Sequence, residues 1–105
     1  MSRSYSEDFL VEMYKADPNK TGVALAHACV KANLPAKYVA QVLNVSRMTI
    51  YSWFRGKPLR DKNKRLAEVF TELVEGDIAK GLLPARNLPE AKKYLEDMIG
   101  EPLKG

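Results

Sequence analysis

Apolar side chains recur along this chain at intervals of three and four residues, and no segment alternates with the period of two that a half-buried strand requires. Ser4-Tyr5-Ser6-Glu7 reads as a capping box ahead of Phe9, Leu10, Met13 and Tyr14, which share one helical face; this first helix is expected to end before Pro18. Thr21 is positioned to cap a second helix whose inward side holds Val23, Ala26, Cys29 and Val30, closed by Asn33-Leu34-Pro35. A third runs from Ala36 to Leu43 with Val39, Ala40 and Leu43 inward, and Asn44 interrupts it. Ser46 then caps a fourth, Arg47 to Phe54, with Ile50, Trp53 and Phe54 inward and Gly56 and Pro58 ending it. From Leu59 or Asp61 to Lys80 the seam Leu66, Val69, Phe70, Leu73, Val74 and Ile78 predicts a longer helix with Glu68, Glu72 and Glu75 outside. Leu82-Leu83-Pro84 breaks it, and Pro89 starts a last helix striped by Tyr94, Leu95, Met98 and Ile99. The pattern predicts an all-α bundle of five to six helices, with no internal repeat.

Length and composition keep that picture to one unit. A chain of 105 residues that is 46% apolar can build one continuous core, and its six glycines and six prolines are scattered between helices rather than gathered into a linker. Residues 1–105 are therefore expected to form a single domain. No stretch reaches the roughly 18 apolar residues a membrane span needs, and the start Met1-Ser2-Arg3-Ser4-Tyr5 lacks a signal-peptide core, so a soluble cytoplasmic protein is expected. Cys29 is the only cysteine, which rules out an intrachain disulfide and points to a buried thiol.

Charge changes the picture more. The formal total of +4 is unevenly spread: between Lys31 and Arg65 nine basic residues face the single acid Asp61, a net of +8, and the rest of the chain nets −4 from 8 basic and 12 acidic residues. A neutral-to-acidic scaffold with one basic segment suits phosphate binding, because each cation placed against DNA releases condensed counterions. A solvated basic face would give the same count, so charge alone does not decide the matter.

The spacing within Ala36 to Lys57 adds an independent signal. Two helices crossing steeply need a small residue where their backbones approach, which Ala40 supplies, and a left-handed residue at the turn between them, which Asn44 supplies. Val45, Ile50 and Trp53 would pin the second helix to the core, leaving Arg47, Met48, Tyr51, Ser52 and Arg55 outside.

The run Ser46-Arg47-Met48-Thr49-Ile50-Tyr51-Ser52-Trp53-Phe54-Arg55-Gly56-Lys57-Pro58 resembles the recognition helix and following loop of the lambda repressor and Cro type (XRE-type) helix-turn-helix family, common in bacteria and their phages. The likeness covers roughly Val23 to Phe70, with helix-turn-helix about 36–55 and C-terminal helices about 61–80 and 89–99 for packing or dimerisation. Two positions depart from the family: Ala36 stands where a phosphate-touching glutamine is common, and Asn44 replaces the usual glycine. The resemblance implies double-stranded DNA as partner, with Arg47, Met48 and Ser52 at base edges and Tyr51 at a base or a phosphate. Arg47 has the strongest chemistry, since a guanidinium can bridge O6 and N7 of guanine, whereas Met48 offers only apolar contact to a thymine methyl. Lys37, Ser46, Thr49, Arg55, Lys57 and Arg60 are expected at phosphates, which set register but read no sequence.

Other chemistries find little support. There is no Gly-rich phosphate loop, no nucleophile elbow and no isolated acid pair, so no enzyme and no catalytic residue are expected. His27 is the only histidine and sits mid-helix among alanines; with one cysteine it does not make a zinc site, so no metal and no cofactor are expected. Met13, Met48 and Met98 show no ligand spacing, and at least two of them read as core filler. The functional expectation is a small transcriptional regulator, phage-encoded in one version, that pairs as a homodimer on a palindromic site. The stripe Tyr94, Leu95, Met98, Ile99 or the Leu82-Leu83 corner would form the contact, or would instead cap the monomer's own core. Two alternatives stand beside it: a genome-packaging or replication-initiation protein using the same module, and a protein-binding adaptor whose basic face meets an acidic protein.

Overall fold

Each helix starts and stops where local chemistry dictates, and the first already corrects an expectation. In the computed structural model, which describes residues 5–105, α1 (Glu7–Lys15) is capped by Ser6, whose hydroxyl accepts from the Phe9 amide, rather than by a box built on Ser4, which lies outside the described residues. α2 (Thr21–Ala32) has Lys20 at its N-cap with no side-chain cap, so Thr21 is the first helical residue and not the cap. It ends at Asn33, which takes the left-handed conformation with φ 56° and donates from its side chain to the Ala85 carbonyl. α3 (Ala36–Val42) and α4 (Arg47–Phe54) are joined through Asn44 at φ 57°, and the Val45 amide returns to the Ala40 carbonyl at 2.9 Å. Asparagine enters this region at low cost, so the chain reverses without a glycine. Ser46 caps α4 by accepting from the Thr49 amide. α5 (Asp61–Ala79) is the longest helix, and α6 (Leu88–Ile99) is capped by Asn87 with Pro89 in its first turn. No strand occurs among the described residues, so the molecule is all-α with six helices.

α2 is the central element. Leu25, Ala26, Ala28, Cys29 and Ala32 are fully buried, and α5 and α4 both pack along it. Small residues here let neighbouring backbones approach, and at Gly22 the approach is extreme. A Cβ added there would stand 2.6 Å from the Trp53 carbonyl carbon and 2.9 Å from its Cα. α2 and α4 thus touch backbone to backbone where α4 ends.

The buried faces follow the pattern with informative exceptions. Ile50, Trp53 and Phe54 are buried as expected. On α1 Met13 is buried, Phe9 and Leu10 are half-buried, and Tyr14 is exposed, its ring edge-on to His27 at 5.5 Å. Val30 is only half-buried, while Leu25 and Ala28, absent from the expected face, are fully buried. On α5 the core takes Ala67, Phe70 and Val74, whereas Leu66, Val69 and Leu73 are exposed and Ile78 is half-buried. The seam is rotated: a small alanine lets α5 sit close to α2, which turns one row of large side chains outward. The α6 stripe goes the other way, because Leu95 is buried and Tyr94, Met98 and Ile99 pack on the core. Leu83 is buried and Leu82 exposed. The α6 stripe and Leu83 therefore cap the chain's own core.

After α6 the chain turns back along α3. Gln41 clasps Lys104 from both sides, its amide donating to the Lys104 carbonyl and its oxygen accepting the Lys104 amide, both at 2.8 Å; the Tyr38 hydroxyl donates to the Gly105 carbonyl at 2.7 Å. Leu103 is buried beneath this strap.

Three neutral hydroxyl or thiol groups sit where ionisation is disfavoured. Burial pushes the Tyr5 phenol well above its ordinary range while its hydroxyl donates to the Leu34 carbonyl at 2.6 Å, and burial pushes the Cys29 thiol up likewise. Tyr94 is raised by desolvation and by its hydrogen bond to Asp77. The unfolded chain would ionise a cysteine from about pH 8.5 and tyrosines from about pH 10, while the native groups stay protonated. Stability from these groups is therefore complete below that range and is lost as pH rises through it. A urea midpoint clearly lower at about pH 10 than at about pH 7.5, with a native Cys29 that does not react with a thiol reagent until the chain unfolds, is the expected result.

Candidate nucleic-acid interface

α4 presents its first turn to solvent because everything behind it is anchored. Ile50, Trp53 and Phe54 fix its inner side, and on the outside Arg47 and Met48 are exposed, Met48 to 83%. No ion pair to Arg47 is present among the described residues, so its five N–H donors face water. Ser52, one turn on from Met48, is half-buried. These three side chains carry a bidentate donor, an apolar thioether and a hydroxyl, three of the chemistries that distinguish base edges.

Tyr51 is differently placed. Its ring meets Phe9 edge-on at 5.7 Å and Phe54 edge-on at 5.8 Å, in a cluster that continues through Phe9 to Tyr5 at 5.2 Å. The ring is structural and half-buried, so its freedom to reach outward is confined to what the hydroxyl end retains. Arg55 is also shared, since its Nε lies 4.0 Å from a Glu12 carboxylate oxygen, with both side chains largely exposed. Such a pair is weak and easily exchanged for another anion.

At the start of α4 the Ser46 hydroxyl accepts the Thr49 amide and donates to the Thr49 Oγ at 2.9 Å, so Ser46 and Thr49 occupy each other while the Thr49 hydroxyl hydrogen stays free to turn outward. Lys37, expected as an anchor near the start of α3, is half-buried with its ammonium 5.0 Å over the Tyr38 ring and beside Gly105 of the strap. Ala36 and Pro35 are buried, so the start of α3 is closed off.

Beyond α4 the chain turns at Gly56, whose φ of 101° no other residue adopts cheaply, into exposed Lys57 and Arg60. Lys20 lies over this turn, its Cδ 3.3 Å from where a Gly56 Cβ would be. Lys20, Lys57 and Lys64 come from three separate segments to line one groove of about 400 Å³ with Asn19, Thr21, Gly56, Pro58 and Leu59, and no acid is among the lining residues. Lys20 and Lys64 were not among the residues expected from sequence. Their only sequence signal is their sign, because the groove joins the start of α2 to the turn after α4 and to α5, and Lys20 and Lys64 lie far apart in the sequence.

The basic turn after α4 thus continues from the exposed end of α4 into a lysine-lined groove, a surface able to hold anionic oxygens along an extended path. Among the described residues no group of three or more His, Cys, Asp or Glu side chains is arranged to hold a metal ion, and no helix is long and apolar enough to cross a membrane. Comparison with protein-family models, with curated proteins and with solved structures finds no match.

Proposed function

We propose that the chain binds double-stranded DNA sequence-specifically, as a small transcriptional regulator of helix-turn-helix type that lays the first turn of α4 in the major groove. The observation that carries this reading is that α4 is pinned from behind by Ile50, Trp53 and Phe54 while Arg47 and Met48 stand free on its exposed side, beside a turn rich in lysine and arginine. A helix held rigidly with its donors outward costs little to order on binding. Arg47 reads a guanine, Met48 packs on a thymine methyl and Ser52 contributes a hydroxyl, while Lys57, Arg60, Arg55, Ser46 and Thr49 serve the phosphates. Tyr51 acts chiefly as a spacer between α1 and α4.

Selection of bound oligonucleotides from a random duplex pool tests the reading directly, with a short consensus as the expected outcome. On that consensus, Arg47→Ala is expected to cost about 1 to 3 kcal/mol and to relax preference at one position. Lys57→Ala is expected to weaken binding to every sequence about equally and to reduce the salt slope by about one. Equal loss from both on all sequences would overturn the division of roles, and indifference to any duplex at low salt would leave the protein-binding adaptor as the better reading.

A further inference from the structure

The strap that follows α6 is gripped by its main chain. Four backbone groups of three consecutive residues each meet a side chain of α3 or α6: the Leu103 amide donates to a Glu96 carboxylate oxygen at 2.7 Å, the Lys104 amide and carbonyl both engage Gln41 at 2.8 Å, and the Gly105 carbonyl accepts from the Tyr38 hydroxyl at 2.7 Å. Helices satisfy their own amides and carbonyls, so a helical surface holds another stretch of backbone through side chains of this kind. Glutamine suits the task, because its primary amide carries the same donor and acceptor as a peptide group. Only one side chain of the strap enters the core. Leu103 is buried, while Glu101, Pro102 and Lys104 are exposed. Gly105 takes φ 81°, a left-handed value that glycine adopts without penalty.

We propose that this seam of α3 and α6 is a binding site for an extended Leu-X-Gly peptide, filled here by the chain's own residues 103–105 and able to take the same segment from a partner protein. The contacts define the ligand: a leucine for the buried position, any side chain at the next, where the main chain alone is clasped, and a glycine where φ is positive. Nothing in the grip depends on the tether. Gly100, at φ 72°, turns the chain out of α6, and exposed Glu101 and Pro102 lead to the leucine anchor. A segment with one buried side chain and solvent-facing hydrogen bonds opens at a small fraction of the cost of unfolding, so the strap comes away while the six helices stay folded. The tethered segment then competes with any incoming one at an effective concentration of about the millimolar range. Extended-peptide capture of this kind takes its affinity from main-chain hydrogen bonds and its specificity from the side-chain anchor. The site stands apart from the duplex reading and is tested without DNA.

The test uses a fluorescent peptide with the sequence of residues 101–105, amidated at its C-terminus, and the full chain carrying Leu103→Asp, which releases the strap; circular dichroism checks that the helices remain. The expected result is saturable binding by anisotropy, weaker by about tenfold or more to the parent chain, whose own strap competes. Replacing the peptide's leucine by alanine is expected to weaken binding about tenfold or more, and replacing its lysine by alanine to leave it unchanged. Gln41→Ala in the opened chain is expected to cost about tenfold, since two hydrogen bonds go with it. The parent chain gives a second measurement that needs no substitution. Its Lys104 amide is expected to exchange with solvent about a hundredfold or more faster than amides in the middle of α2, and unlabelled peptide in millimolar excess to shift the side-chain amide resonances of Gln41. Absence of binding to the folded, opened chain, binding that ignores the leucine, equal affinity of the parent and opened chains, or a Lys104 amide that exchanges only with global unfolding would each overturn the proposal.

Discussion

Replacing Gly22 by alanine is expected to destabilise the protein by at least about 3 kcal/mol, at the upper end of what overpacking a core costs. The added methyl has nowhere to go, because the atoms it meets are the carbonyl oxygen, carbonyl carbon and Cα of Trp53 rather than the movable end of a side chain. The Trp53 carbonyl is itself held, accepting the Gly56 amide at 2.9 Å where α4 ends. Relief therefore requires α2 and α4 to separate as rigid bodies and to loosen Ile50 and Phe54 with them. Alanine is a better helix former than glycine by about 1 kcal/mol, which offsets only part of this. Gly76 supplies the internal contrast: it too lies within a helix, and nothing stands within 4 Å of an added Cβ. Gly76→Ala is expected to raise stability by about 0.5 to 1 kcal/mol. Thermal unfolding of both variants should move in opposite directions, Gly22→Ala down by about 12 °C or more. A Gly22→Ala chain that melts with the parent would show that the two backbones are not in contact.

Affinity for duplex is expected to fall about 500-fold between about 50 and 200 mM salt. The free cations around α4 set this figure. Arg47, Lys57 and Arg60 are exposed, Arg55 is held only by a weak pair with Glu12, and Lys20 and Lys64 join Lys57 in one groove. Arg47 being assigned to a base, the other five give a slope of about −4.5 in a double logarithmic plot, since each displaces close to one counterion from a duplex. Lys20→Ala and Lys64→Ala should each reduce that slope by about one and leave the sequence preference intact. Lys93, at the far end of the sequence in α6 and paired with Asp97 at 3.4 Å, is the control expected to change nothing. A slope near zero would sink the phosphate reading altogether, whereas a steep slope insensitive to Lys20 and Lys64 would confine the contacts to α4 and its turn.

What could be read from the sequence was what neighbours in sequence decide. Asn44 and Ser46 act on backbone groups within a few residues, so a turn and a cap announce themselves in the letters around them. Ile50, Trp53 and Phe54 repeat at helical spacing in a short helix with one apolar side, and all three are buried. α5 was harder because it carries two adjacent apolar rows, and periodicity does not say which one meets α2. Ala67 decides that, and a small residue is invisible to a reading that looks for large ones. The ends of α2 show the same limit. Thr21 has the chemistry of a cap but sits one residue too late, and Gly22 gives no local hint of the carbonyl that will lie against it. The lysine groove and the clasp of Gln41 on Lys104 join segments far apart, which only the assembled fold brings together.

The chain has a single tryptophan, and it stands at the α2–α4 seam, almost shielded from solvent and with its backbone against Gly22. Nature has thereby installed one fluorophore on the back of α4, turned away from Arg47 and Met48. Its emission reports whether the two helices remain seated, so loosening of the fold and loss of an outer contact can be told apart in the same cuvette.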